Sequence, residues 1–486
     1  MNDQASLNAR LIKAKEVLTE VGQSHVLEYV SDLTEEQKIS LLDQIESVDW
    51  PEVAKLVQTH VKAKPKFTLP EHVDPAPWYP NDPEVELHPK YAEALALGHK
   101  LVRRGKVAAF TVAGGQGTRL GWAGPKGTFP ATPIRGTSLF GCMADYIRKT
   151  QQKYHTVVPW YVMTSPVNDK DTREFFHDNA YFGLSQENVM FFPQAMMPAI
   201  DLVENVGKVL MDSKSSMALS PNGHGGSLKA LYTSGAIKDM RNRGIEHISY
   251  TQVDNPIVRV IDPLFIGLHA LDECQMSSKM LPKAYPTEKL GNFCLVDNKM
   301  TVIEYSDLPD ELANERKADG SLRFLAGSIA LHVLRVDFVE ALNKQGDFGL
   351  PFHRAEKKVP YLDGDGKRVI PKDINAVKLE TFVFDALPMT DKSIIYETDR
   401  VDEFAPIKNA DATGPEPSLD SPSTSKKSQT ERAGRWLELA GVPVTRDVAG
   451  YVNAVIEIAQ TTAIEPEDLS GVELPLEVKR GERILL

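Results

Sequence analysis

The sequence predicts an α/β fold: a doubly wound, mostly parallel sheet with a helical N-terminal appendage and a small C-terminal lobe. Three observations carry that reading. Apolar runs at residues 106–113 and 157–164 and a further strand-patterned stretch at 246–253 alternate with helix-patterned stretches at 171–179 and 227–243, the rhythm of parallel strands joined by crossover helices. A glycine-rich segment directly follows the first of these runs. The chain of 486 residues also exceeds the roughly 250–300 residues that one hydrophobic core supports, so smaller additions are expected.

The elements follow in order. Leu7, Leu11, Ala14, Leu18 and Val21 recur at helical spacing, and Thr34 stands three residues before Gln37, the spacing of a capping box, so residues 1–62 read as helices. A Pro-rich connector, 70–89, leads into the main domain. Residues 1–99 therefore read as appendage and connector, and 100–410 as the ligand-binding domain. Residues 411–428 (DATGPEPSLDSPSTSKKS) offer little to bury, so 411–430 reads as a mobile linker. A helix at 431–440 and short apolar runs near 451–458, 472–478 and 483–486 make the C-terminal part, 431–486, a helix with a small lobe.

Composition excludes several classes. An apolar fraction of 42% with 25% charged residues is that of a water-soluble globular chain. No run reaches the ~18 apolar residues of a membrane span, and the first residues lack the pattern of a secretory signal. A net charge of −12 argues against general nucleic-acid binding yet leaves room for a local basic pocket. The three cysteines match no zinc spacing and cannot form a disulfide framework. A cytoplasmic setting is the simplest expectation.

The strongest chemical signal is Gly114-Gly-Gln-Gly-Thr-Arg-Leu-Gly121 followed by Pro125-Lys126-Gly127. Gly114 and Gly115 let backbone N–H groups approach phosphate or ribose oxygens closely. Arg119 offers a bidentate fork and Lys126 a compact charge, so the loop reads as an anion cradle. A P-loop would need Gly-Lys-Ser/Thr, and a dinucleotide fingerprint would need glycine at position 120, where leucine stands, and an acidic residue ~20 positions on. Those mismatches weigh against an NAD-dependent oxidoreductase. Asp254, at the end of the 246–253 run, reads either as a metal ligand or as a strand-terminating Asx turn.

This loop resembles that of the UDP-sugar pyrophosphorylases, and the resemblance is closest to the eukaryotic-type UDP-N-acetylglucosamine enzymes. Phe191–Pro198 (FFPQAMMP), Ser220–Gly226 (SPNGHGG), Val253-Asp-Asn255, Gly291 with Glu304-Tyr-Ser306, Phe382-Val-Phe384 and Phe404–Asp411 (FAPIKNAD) extend it. The resemblance implies a nucleotide-diphospho-sugar transferase-like fold and a uridylyltransferase acting on UTP and a sugar 1-phosphate. Mg²⁺ (or Mn²⁺) would be its ion. It implies that Arg119, Lys126 and Lys408 hold phosphates and that Asp254 holds the metal. Gln194 would contact the uracil, and Gly223 would admit the nucleotide. Gly291, Glu304, Phe382 and Phe384 would line the sugar pocket.

Two departures fall at the sugar end. His224 and Ser328 stand where the N-acetylhexosamine enzymes carry asparagines, and Gly-His-Gly is similar to the UDP-glucose and broad-range enzymes. The implied sugar is N-acetylglucosamine 1-phosphate, with glucose 1-phosphate or a broader hexose range as the alternative. A nucleotide-sugar sensor without catalysis is the rival of a different class; it should have lost the phosphate-binding cations, which this chain retains.

Overall fold

The computed structural model describes residues 2–64, 68–204, 206–344, 349–414 and 418–486. It divides the chain into two compact units, one formed by 1–68, 194–228 and 349–383, the other by 69–193, 229–348 and 384–486.

The larger unit is organised by a ten-stranded sheet. Its strands are β1 (Val73–Pro75), β2 (Val107–Val112), β3 (Trp160–Thr164), β4 (Val189–Pro193), β5 (His247–Gln252), β6 (Met276–Pro282), β7 (Gly291–Val296), β8 (Lys299–Ile303), β9 (Ala326–Arg335) and β10 (Ile395–Glu397). The order is β1-β7-β9-β5-β2-β3-β4, with β6 joined to β9 and β10, and β8 joined to β7. Strands β5, β2, β3 and β4 run parallel. Strand β9 is antiparallel to β5 and carries the sheet on toward β7 and β1.

The central strands β2 and β3 are buried on both faces, as their near-continuous apolar runs require. Val107 and Ala109 enter a core with Trp160, Val162 and Phe176. On the opposite face Phe110 packs 5.5 Å from Tyr250 and 6.0 Å from Phe192, ring centroid to centroid. The helix after β3 spans Asp169–Asp178. The single helix expected at 227–243 is two, Gly226–Thr233 and Ala236–Asn242. They part at Gly235, whose φ of +85° a side chain would strain.

The smaller unit differs from the expected appendage. Its helices Asn2–Glu20, Glu35–Ser47 and Trp50–Leu56 share one core with residues from the middle of the chain: Leu18, Leu41 and Val61 meet Ile200, Met217, Val377 and Leu379. The compact units thus do not divide at residue 99. Thr34 and Gln37 form the capping box, each side chain bonding the other's backbone N–H.

The C-terminal region corrects the expected linker. A helix runs from Pro422 to Leu439 and so occupies much of 411–430; residues 415–417 lie outside the described set. Ser421 caps it through the backbone N–H of Thr424, and Pro422 opens its first turn. Serine followed by proline is a helix start, and the Ser/Thr richness that suggested a loop belongs to that cap. Buried Trp436 and Leu437 then pack with Ile456 and Val478, and Val455–Glu457 pairs with Arg483–Leu485.

Candidate active site

The chain leaves β2 for β3 and β4 on one side, then returns with β5 on the other side of β2. In parallel sheets such a reversal opens a crevice at the carboxyl ends of the two strands, where ligands bind. The glycine-rich loop and Asp254 emerge at those two ends. Val253 N–H donates to Val112 O, which holds the exits side by side.

The loop is stitched into shape by its own backbone. Gly117 N–H donates to Gly124 O at 2.9 Å, and Lys126 N–H donates to Gly115 O at 3.0 Å. Asn168, fully buried after β3, donates to Ala113 O and Gly115 O at 3.0 and 3.2 Å. Its own Oδ1 accepts from Ser165 N–H. Gly114 is buried, Gly115 is exposed, and a Cβ on Gly115 would meet no atom within 4 Å. That leaves its backbone open to a ligand.

Lys126 is thereby aimed at Asp254, its Nζ 3.4 Å from Oδ2. Burial would raise the Asp254 pKa, but the charges of Lys126 and Lys408 outweigh it and hold the carboxyl below its usual range. Ile407 N–H donates to Asp254 O at 2.8 Å, and Ala410 N–H donates to Arg119 O at 3.1 Å. The segment carrying Lys408 is therefore fastened to both the metal-candidate strand end and the glycine-rich loop. The Lys408 ammonium lies 5.7 Å from the Phe404 ring centre and 3.6 Å from Asp420 Oδ2. Arg119 is exposed, and its guanidinium has no hydrogen-bond or ion-pair partner among the described residues.

A cleft of about 710 Å³, open to solvent, begins at Asp254 and Lys408 and continues past Gly291, Glu304, Ser328 and Phe384. Gly291 pairs with Ser328 across β7 and β9. A Cβ on Gly291 would stand 2.6 Å from Val302 Cγ1 and 3.4 Å from Glu304 Oε1, so this position needs glycine. Strand β9 bulges here. Ser278 pairs with His332 while Met280 pairs with Ser328, which leaves residues 329–331 facing Lys279 alone. Within the bulge Ala330 takes a φ of +55° and lines the cleft, strain of the kind stored beside binding sites.

Gln194, Gly223, His224 and Phe382 belong to the smaller unit. Gln194 directly follows β4 and is 6% exposed. Gly223 has a φ of +84°, and a Cβ there would come within 2.3 Å of Thr381 O, so the chain closes on strand Ala376–Thr381 only with glycine. Val383 N–H donates to His224 Nδ1 at 3.1 Å, which makes Nε2 the protonated nitrogen of the neutral ring. Burial, helped by nearby His353, pushes the His224 pKa down to about 4. Phe382 stacks between the two histidines, 5.2 Å from His224 and 4.5 Å from His353. Phe382 falls in the smaller unit and Phe384 in the larger.

Of the sequence-predicted residues, Gly114, Gly115, Arg119, Lys126, Asp254, Gly291, Glu304, Ser328, Phe384 and Lys408 are gathered around one crevice. Asn168 is not singled out by the sequence, and Asn255 enters there only as the end of the Val253–Asn255 segment, with no role of its own. They stand four residues beyond the end of β3 and three beyond the end of β5, the only signal available. Asn255 donates to Glu403 O at 2.6 Å and accepts from Ala405 N–H at 3.3 Å.

A glycine-rich loop with its lysine and a lone carboxylate at the switch point of an α/β sheet, leading into a polar cleft, are the features expected of a nucleotide-sugar transferase class of site. Comparison with known proteins agrees. The family model for UTP–glucose-1-phosphate uridylyltransferase matches residues 83–413, and the chain belongs to this family. It is 34% identical over 435 residues to the UDP-N-acetylhexosamine pyrophosphorylase-like protein 1 of Xenopus tropicalis, covering 87% of this chain and 84% of that one. It is 34% identical over 474 residues to the UDP-N-acetylglucosamine pyrophosphorylase of Saccharomyces cerevisiae, covering 94% and 96%. The uridine diphosphate N-acetylglucosamine pyrophosphorylase of Trypanosoma brucei, solved with an inhibitor, superposes with a TM-score of 0.82 at 26% identity over 98% of each chain. No described helix is long and apolar enough to cross a membrane.

Proposed function

We propose that this protein is a uridylyltransferase that joins UTP and N-acetylglucosamine 1-phosphate to give UDP-N-acetylglucosamine and pyrophosphate. The observation that carries the reading is the convergence of Gly115, Lys126, Asp254 and Lys408 at the head of the cleft lined by Gly291, Glu304 and Ser328. A phosphate oxygen of the sugar phosphate attacks the α-phosphorus of UTP in line, and pyrophosphate leaves. The attacking group is already largely ionised at neutral pH, its second pKa being ~6, so the site needs no general base. Its task is to hold two anions together and neutralise the charge that develops between them.

Lys126, Arg119 and Lys408 supply that neutralisation, and the Gly114–Gly115 backbone cradles the nucleotide. Gln194 offers both edges of an amide to uracil. Among the described residues no group of three or more His, Cys, Asp or Glu forms a metal cage. A single ionised carboxylate fits Mg²⁺ (or Mn²⁺), which takes one or two carboxylates plus phosphate oxygens. Bound there, the ion would screen the phosphates and polarise the α-phosphorus. Gly291 and Ser328 form the wall for the sugar, and Glu304 accepts bonds from its hydroxyls.

Glucose 1-phosphate is the second reading for the sugar, supported by Ser328, whose hydroxyl is shorter than an amide, and by His224, whose Nδ1 is occupied by Val383 N–H. Pyrophosphate release from UTP and Mg²⁺, with the two sugar phosphates side by side, tests the proposal. Faster release with the acetamido sugar supports it, and preference for glucose 1-phosphate moves the assignment to the second reading. Failure with both sinks the uridylyltransferase assignment for these sugars.

A further inference from the structure

The C-terminal helix Pro422–Leu439 carries a buried arginine that the catalytic reading does not use. Arg432 is 9% exposed, and its Nη1 donates to Ile257 O at 3.1 Å and to Asp402 O at 3.4 Å. Its ring neighbour is Trp436, 4.7 Å from the guanidinium carbon. No carboxylate hydrogen-bonds it among the described residues. The guanidinium thus sits on two backbone carbonyls, one three residues after Asp254 and one six residues before Lys408.

The same two segments are tied from other directions. Asn255 and Asp254 bond the backbone of Glu403, Ala405 and Ile407. Below them, Glu403 is fully buried and accepts from Lys279 Nζ at 2.6 Å and Thr398 Oγ1 at 2.6 Å. From the helix side, Ser425 Oγ donates to Ala405 O at 2.7 Å, and Gln460 Nε2 donates to Pro256 O at 2.7 Å. Burying a cation costs several kcal/mol unless its hydrogen bonds are satisfied. A cation placed on two loop carbonyls is therefore informative about what those loops must do.

We propose that Arg432 is a positioning residue, a clip that locks the Asp254 loop to the 402–408 segment and so fixes the spacing between the Asp254 carboxylate and the Lys408 ammonium. This rests on the proposed roles of those two groups. Burial pulls the Arg432 pKa down to about 10, which still leaves the guanidinium charged at neutral pH. Both bonds leave Nη1, whose two N–H groups are fixed in the guanidinium plane, while a lysine ammonium is a freely rotating point donor on a shorter reach. The C-terminal helix thereby joins the machinery of the site without touching substrate.

The test compares the full-length wild type with Arg432→Met and Arg432→Lys. Amide hydrogen exchange in 402–410 and 253–259 reads the clip directly, whatever reaction the enzyme catalyses. Exchange at Ala405 and Ile407 is expected to quicken at least tenfold in Arg432→Met while the β2 and β3 amides stay protected; unchanged exchange overturns the proposal. Steady-state kinetics reads the consequence. The proposal expects kcat to fall about tenfold or more, and the Mg²⁺ needed for half-activation to rise, with KM for the sugar phosphate held; Arg432→Lys restores part of kcat. A folded Arg432→Met with wild-type kcat and wild-type metal dependence also overturns it. Inactivity of the wild type with UTP and either sugar phosphate would instead sink the function assignment, and the exchange result would still decide the clip.

Discussion

The Lys126 ammonium stands 3.4 Å from Asp254 Oδ2, with the two side chains only 13% and 14% exposed. The cation proposed for a phosphate and the carboxylate proposed for a metal ion hold each other in the crevice. Binding of an ion and a nucleotide would exchange this contact for two stronger ones, so neither charge waits without a partner.

Removing the ammonium should affect catalysis more than folding. Lys126→Ala is expected to lower kcat by about 10²–10³, the cost of losing one charge-stabilising donor. The melting temperature should stay within a few degrees, because Lys408 still faces Asp254. Kinetics and a thermal melt on one preparation check this, and wild-type kcat in the folded variant would remove Lys126 from the mechanism.

Gly291 lines the cleft where the sugar is proposed to bind. A methyl group there meets Val302 Cγ1 at 2.6 Å and approaches Glu304 Oε1. Gly291→Ala should therefore raise KM for the sugar phosphate roughly tenfold, about 1.4 kcal/mol, while KM for UTP stays unchanged. Equal changes in both would mean that the sheet, not the sugar wall, has moved.

His224 makes an acid-stability prediction. Its folded pKa is about 4 against 6.5 in the unfolded chain, so between those values unfolding takes up a proton. The stability contributed by the neutral ring is complete above pH 6.5 and lost as the pH falls toward 4. His247, also held near 4 by burial, behaves alike. His224→Asn should reduce proton uptake on unfolding at pH 5 by up to one, measured from the pH dependence of denaturant unfolding. An unchanged slope would place the ring in an unburied setting.

The two departures at the sugar end should act together. His224→Asn with Ser328→Asn is expected to shift the ratio of kcat/KM for the acetamido sugar over glucose 1-phosphate upward by about tenfold or more, within the ~1–3 kcal/mol that such pocket changes supply. A constant ratio would assign the choice of sugar to other residues.

Much of this architecture is legible in the chain because it rests on local pattern. The stretches at 106–113 and 246–253 coincide with β2 and β5 to within a residue, the first because a strand buried on both faces is apolar throughout, the second through its β-branched and aromatic Ile248, Tyr250 and Thr251. Thr34 and Gln37 announce their helix for the same local reason. In 411–430 the Ser, Thr and Pro composition reads as loop, while the Ser421–Pro422 pair is the local start signal of the helix that forms there. The N-terminal helices misled because their core partners, Ile200, Val377 and Leu379, lie far along the sequence. Asn168 bonds carbonyls 53 and 55 residues away and Arg432 bonds carbonyls 30 and 175 residues away, and only the fold brings those together.

The central claim is that the site transfers the uridylyl group. UTP labelled at the α-phosphate in one reaction and at the γ-phosphate in another, incubated with Mg²⁺ and N-acetylglucosamine 1-phosphate, tests it most directly. The account predicts that the α label appears in the UDP-sugar and the γ label in pyrophosphate, one for one. The γ label in a sugar phosphate, or as free phosphate with the α label left in UDP, would contradict it.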